Sequence, residues 1–270
     1  MTDNNGTLIS TSVLKNSFEE DKSCEIGPLA LHFIQKLKRE KEPGNALIGD
    51  MKINVGKSNK NIFHKECFKV LEDKRNKNGD RNHALNYKVS SELYMFKKGS
   101  RKILVEPTIF SRDLGVVGEP DAVLFSREFT DILEFKDRTT YERSKIDELQ
   151  VETYMTIFGK EDSSIIGGDL RPMIIDEEYK TGIRGFLIYN NGKVMQVQLK
   201  NEKLIRLRAS ELLEEIRNYN SINDLPLPRR CVPECVNASY CKRRSEVLYE
   251  NTAASSRRTK GKSRAYRARA

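Results

Sequence analysis

The 270-residue sequence predicts an α/β fold, a mixed central sheet flanked by helices, on three observations. Strand-like apolar segments at 116–125 and 130–135 carry acids and lead to a lysine. A helical segment at 141–158 follows them, ended by Gly159. Two further strands, at 185–189 and 193–199, are joined by Asn190-Asn191-Gly192, a strong hairpin-turn signal.

Taken in order, residues 1–20 are polar and rich in Asn, Ser and Thr, which predicts a disordered arm. From Cys24 to about Lys41, Leu29, Phe33, Ile34 and Leu37 recur at helical spacing and end in a charged turn before Pro43-Gly44. A second helix is expected from about 60 to 76, where Ile62, Phe63, Cys67, Val70 and Leu71 form an apolar stripe and His64 shares the helix. Residues 85–110 read as β: Tyr87, Val89, Leu93, Tyr94 and Phe96 suggest a strand, Gly99-Ser100 a turn, and 103–110 another strand carrying Glu106. The acid-bearing hairpin comes next, its strands linked by the polar SREF at 126–129. In the helix at 141–158, Ile146, Leu149, Thr153 and Ile157 lie roughly on one side. Leu207, Leu212, Leu213 and Ile216 make 204–219 an amphipathic helix. No internal repeat is present.

Composition bounds the class. At 37% hydrophobic, the chain can bury a substantial core. It has no run of eighteen apolar residues and no signal-peptide profile in MTDNNGTLIS, so a cytoplasmic protein without membrane contact is expected. The formal charge is +9, from 48 Lys and Arg against 39 acids. Seven of these cations, Arg257, Arg258, Lys260, Lys262, Arg264, Arg267 and Arg269, lie in the acid-free stretch 252–270, so the rest of the chain is nearly balanced. The expected organisation is a disordered arm at 1–20, one domain at 21–245 and a basic disordered tail at 246–270.

Chemistry concentrates at 115–138. Side chains alternate along a strand, so Glu134 and Lys136 point one way and Phe135 the other, while Asp121 on the neighbouring strand can join them. Two carboxylates and a lysine at a sheet edge are the parts of metal-assisted phosphodiester hydrolysis. Asp121 and Glu134 offer hard oxygen ligands for Mg²⁺ or Mn²⁺, and Lys136 can position a water or offset charge. A solvated hairpin face bearing ordinary surface charges is the plainer reading of the same residues. On the following helix Gln150 and Tyr154 are four apart and share a face, from which they could aim at a phosphate. Cys231, Cys235 and Cys241 are spaced compactly enough for a metal centre rather than disulfides, and Cys24 completes a set of four if the two chain ends meet. Cys67 reads as a small buried hydrophobe on its helix stripe.

Pro120-Asp121 followed by Glu134-x-Lys136 resembles the PD-(D/E)XK nuclease superfamily, and Gln150-x-x-x-Tyr154 on the next helix resembles its RecB-like branch. That resemblance implies a restriction-endonuclease-like core. It also implies that His64, which follows Gly56, completes the metal shell with the Phe135 carbonyl, that Glu106 matches the branch's upstream acid, and that Gln150 and Tyr154 hold DNA. One early and three late cysteines around such a core narrow the likeness to the Cas-four family of CRISPR-associated iron-sulfur exonucleases, over roughly 24–241. The family implies a four-iron four-sulfur cluster on Cys24, Cys231, Cys235 and Cys241 in a subdomain formed by both chain ends. It further implies Mg²⁺- or Mn²⁺-dependent DNA cleavage beside the CRISPR integrase complex during selection of new spacers. A homo-oligomer is a further expected assembly. Three residues separate Cys231 from Cys235 where the family usually has two, and zinc would suit the same four thiolates. A repair or viral recombination nuclease of the same fold, and a metal-stapled DNA-binding protein that does not cut, fit the sequence as alternatives.

Overall fold

Among the described residues, two mixed five-stranded sheets are flanked by helices. The computed structural model describes residues 7–18, 27–41, 46–48, 51–53, 61–73, 85–138, 144–167, 172–180, 182–221 and 224–226. In chain order the elements are β1 (Ile9–Ser10), α1 (Thr11–Asn16), α2 (Gly27–Lys41), β2 (Ala46–Ile48), β3 (Met51–Ile53), α3 (Ile62–Glu72) and α4 (Tyr87–Gly99). There follow β4 (Lys102–Val105), β5 (Thr108–Ser111), β6 (Val116–Gly118), β7 (Ala122–Phe125), β8 (Thr130–Lys136), α5 (Lys145–Phe158) and β9 (Ser164–Ile166). The chain continues through β10 (Pro172–Ile174), α6 (Glu177–Lys180), β11 (Ile183–Tyr189), β12 (Val194–Val197) and α7 (Glu202–Arg217).

One sheet has the order β1-β6-β5-β9-β10 and the other β12-β11-β8-β7-β4, while β2 and β3 form a small separate pair. β8 is the middle strand of the second sheet, parallel to β11 and antiparallel to β7. Its faces divide by residue parity, as the two-residue period requires. Leu133 and Phe135 join Ala122, Leu124, Phe186 and Ile188 in a cluster closed by Phe63, Cys67 and Phe68 of α3 and by Val89 and Leu93 of α4. Ile132 faces the other way, into a core shared with Val123, Leu187, Val151 and Tyr154. A strand buried on both faces needs apolar residues in succession, which explains ILEF, while its two buried acids, Asp131 and Glu134, are each paired with a cation, Arg184 and Lys136. At Gly185 on β11 a Cβ would lie 2.3 Å from Val151 and 2.7 Å from the sulfur of Met155, so α5 lies directly against the strand backbone.

Four expectations are corrected. Residues 7–18 do not form a disordered arm: β1 pairs with β6, Ser10 caps α1 by accepting the Val13 N–H, and Ile9, Val13 and Leu14 are fully buried. Their few apolar residues are nearly all buried, which an average over composition conceals. Residues 87–99 form helix α4, not a strand. Val89 and Leu93, one helical turn apart, are fully buried, Phe96 meets the Phe186 ring, and Asn86 caps the helix by accepting the Lys88 N–H. Tertiary contact here overrides the β preference of Tyr, Val and Phe. The stretch 116–125 is two strands, β6 and β7, which part at Glu119-Pro120 and enter different sheets. Proline lacks the N–H that a continuous ladder requires. The strand expected at 103–110 is likewise divided into β4 and β5, at Glu106, whose φ is 46°.

Candidate active site at the end of strand β8

The last residues of β8 bring the predicted side chains together. Glu134 and Lys136 share a face, with the Lys136 Nζ 2.8 Å from the Glu134 Oε1. α5 supplies Gln150, whose Nε2 donates to Glu134 Oε1 at 3.0 Å and to the Tyr154 hydroxyl at 2.8 Å. Its Oε1 accepts from Lys136 at 3.0 Å and from Lys15 of α1 at 3.3 Å. Every polar atom of the Gln150 amide thus fixes another member of the site. Ser144 starts α5 by accepting the Asp147 N–H, which sets the helix so that Asp147, Gln150 and Tyr154 share the face toward β8.

Asp121 immediately precedes β7 and is fully buried. Its Oδ2 accepts the backbone N–H of Phe135 at 2.6 Å, which ties it to the neighbouring strand beside Glu134. Glu106 braces the same residue from behind, donating its backbone N–H to the Asp121 carbonyl at 2.9 Å. His64 reaches in from α3, with Nε2 3.5 Å from Asp121 Oδ2. The Asn61 side-chain oxygen accepts the His64 backbone N–H at 3.0 Å and lies 2.6 Å from its Nδ1. An amide oxygen only accepts, so the network puts the proton on Nδ1 and turns the Nε2 toward Asp121. Phe135 and Phe68 flank the imidazole edge-on, at 5.9 and 6.4 Å between ring centres.

Tyr154 is 2% exposed, and its hydroxyl donates to the Glu119 carbonyl at 3.4 Å. Burial first, then the Glu134 charge, raises its pKa well above the usual tyrosine range. In this structure the phenol braces Gln150 from within the core. Burial, reinforced by the Asp121 charge, likewise raises the Cys67 thiol far above its ordinary range. Cys24, Cys231, Cys235 and Cys241, together with Gly56 and the basic tail, lie outside the described residues.

Sequence reading missed Lys15, Arg138 and Asp147. Asp147 lies one turn before Gln150 and could have been found by helical spacing, whereas Lys15 arrives through the unexpected α1.

Asp121 and Glu134 are hard oxygen donors on adjacent strands, and the oriented His64 adds a nitrogen. Among the described residues, no three of His, Cys, Asp and Glu gather closely enough to hold an ion by themselves. Mg²⁺ does not need such a cage: one or two carboxylates, with waters and substrate phosphate oxygens, suffice. The donor set fits that kind of site.

No family model and no curated protein matches the chain. Among solved structures it is similar to a crystal structure of SSO0001, with a TM-score of 0.32 and 15% identity. The alignment covers 57% of this chain and 66% of that one.

Proposed function

We propose that the protein is a metal-dependent deoxyribonuclease with a PD-(D/E)XK core. The observation that carries this reading is the Glu134 carboxylate held jointly by Lys136 and Gln150, beside buried Asp121 on the adjoining strand. Burying two acids side by side is costly, and a cation shared between them lowers that cost. A Mg²⁺ or Mn²⁺ ion on Asp121 and Glu134, with His64 and the Phe135 carbonyl as further donors, would polarise a phosphate and acidify a water. Lys136, as an ammonium, can only donate, so it orients the attacking water and offsets charge on the phosphate. Gln150 keeps the Glu134 oxygen and the lysine in register, and Tyr154 keeps Gln150 in place.

The four cysteines outside the described residues carry the narrower proposal. On the resemblance of the sequence, they hold a four-iron four-sulfur cluster, and the nuclease works beside the CRISPR integrase on new spacers. The neighbouring genes distinguish that role from repair or viral recombination.

End-labelled linear DNA and closed circular DNA, incubated with Mg²⁺ or Mn²⁺, test the activity. Loss of label from linear DNA with the circle intact is the expected exonuclease pattern, abolished by a chelator. Glu134→Gln should lower the rate by about 100-fold or more, the scale on which removal of one charge-stabilising group acts. Wild-type cleavage by Glu134→Gln under excess metal would refute the assigned site, and DNA binding without any cutting would favour the non-catalytic alternative.

A further inference from the structure

Asp147 is a buried carboxylate to which the nuclease reading gives no role. It opens α5, and its side chain is 5% exposed. Three cations from separate parts of the chain surround it. Lys15 of α1 stands 3.9 Å from Oδ1, Lys136 of β8 stands 3.7 Å from the same oxygen, and Arg138, just past β8, pairs with Oδ2. Lys136 is already paired with Glu134, so Lys15 and Arg138 share the single charge of Asp147, and that one surplus cation points to a second anionic group.

Their exposure is graded. Lys136, against Glu134, is 16% exposed, Lys15 27% and Arg138 40%, so the cations lead outward from the carboxylate pair. The Arg138 guanidinium lies 6.0 Å over the Tyr189 ring.

We infer that Lys15 and Arg138, fixed by Asp147, are phosphate-contacting residues that hold a DNA strand beside the bond presented to Lys136. This rests on the nuclease reading and adds to it the residues that hold the strand, at phosphates on either side of the bond to be cut. Lys15 also binds the α1 segment to the site through Gln150, so the first described helix is part of the DNA-holding surface.

The test measures affinity of the full chain for a labelled oligonucleotide across a salt series, without added divalent metal. Lys15→Gln and Arg138→Gln should each flatten the plot of log affinity against log salt by about 0.9 on duplex or about 0.7 on single strands. Lys15→Arg and Arg138→Lys should keep the wild-type slope, since they keep the charge. Wild-type slopes in both glutamine variants, or slopes lost equally in the charge-keeping ones, would overturn the inference. Each position is scored by itself, so a variant that does not fold leaves the other to decide. Wild-type protein that shows this slope pattern but never cuts with Mg²⁺ or Mn²⁺ supports the cradle and refutes the nuclease. Cutting with unchanged slopes does the reverse, and no DNA binding at all refutes both.

Discussion

Tyr154 is a structural part of the site, and its ionisation gives that role a measurable consequence. Its pKa stands well above the ordinary 10.0, because burial and then the Glu134 charge oppose a phenolate there. In the unfolded chain the phenol ionises near its ordinary value, while in the folded protein it keeps its proton. The stabilisation is therefore complete below pH 10 and is lost as pH rises above it, by about 1.4 kcal/mol per pH unit for one proton. Urea unfolding between about pH 8 and 11.5 should show this decline in the wild type and a shallower one in Tyr154→Phe. Equal slopes would mean that the phenol is not held neutral by the fold. Gln150, by contrast, is defined by what it connects: its amide reaches Glu134, Lys136, Tyr154 and Lys15 at once.

Among the elements, β1 and α1 tie the first described segment to the site, since they bring Lys15 to it and press against its support. At Gly118 of β6, a Cβ would lie 2.7 Å from the Thr11 methyl of α1 and 2.7 Å from the Tyr154 ring. Only a residue without a side chain lets helix, strand and phenol meet there. Gly118→Ala should cost about 1–3 kcal/mol by overpacking and should also slow cleavage, because displacing Tyr154 displaces Gln150. Leu14→Ala, at a fully buried position of α1, should cost about 2–5 kcal/mol. Urea midpoints measure both, and an unchanged midpoint in Leu14→Ala would show that α1 does not dock as described. Helix α4 illustrates the opposite relation between sequence and element. Its Tyr, Val and Phe favour strands locally, but Val89 and Leu93 close the outer side of β8 only when they are one helical turn apart.

For the whole molecule, the uneven charge suggests a division of labour between domain and tail. The seven cations of 252–270 should add counterion release wherever they meet phosphate. Truncation after Asn251 should flatten the salt dependence of DNA binding by up to about 6 on duplex, independently of base sequence. Identical slopes would show that the tail does not touch DNA. The cysteines make a separate prediction: protein purified without oxygen should be brown and carry iron and sulfide, with less of both in Cys24→Ser. One zinc and no iron would replace the cluster with a tetrahedral zinc site, and unchanged metal in Cys24→Ser would remove the proposed fourth ligand.

By itself, the sequence determined the α/β class, the hairpin turn at Asn190-Asn191-Gly192, and the alternation that sets Glu134 and Lys136 on one side of a strand with Gln150 and Tyr154 on one side of a helix. These are local periods of two and of nearly four residues, and they can be counted along the chain. Only the tertiary structure decided which sheet each strand enters, that Glu119-Pro120 parts β6 from β7, that His64 turns its Nε2 to Asp121, and that Lys15 lies beside Gln150. Those contacts join residues dozens of positions apart, and they exist because apolar faces of β1, α1 and α3 must be buried against a sheet. No local pattern records which face meets which.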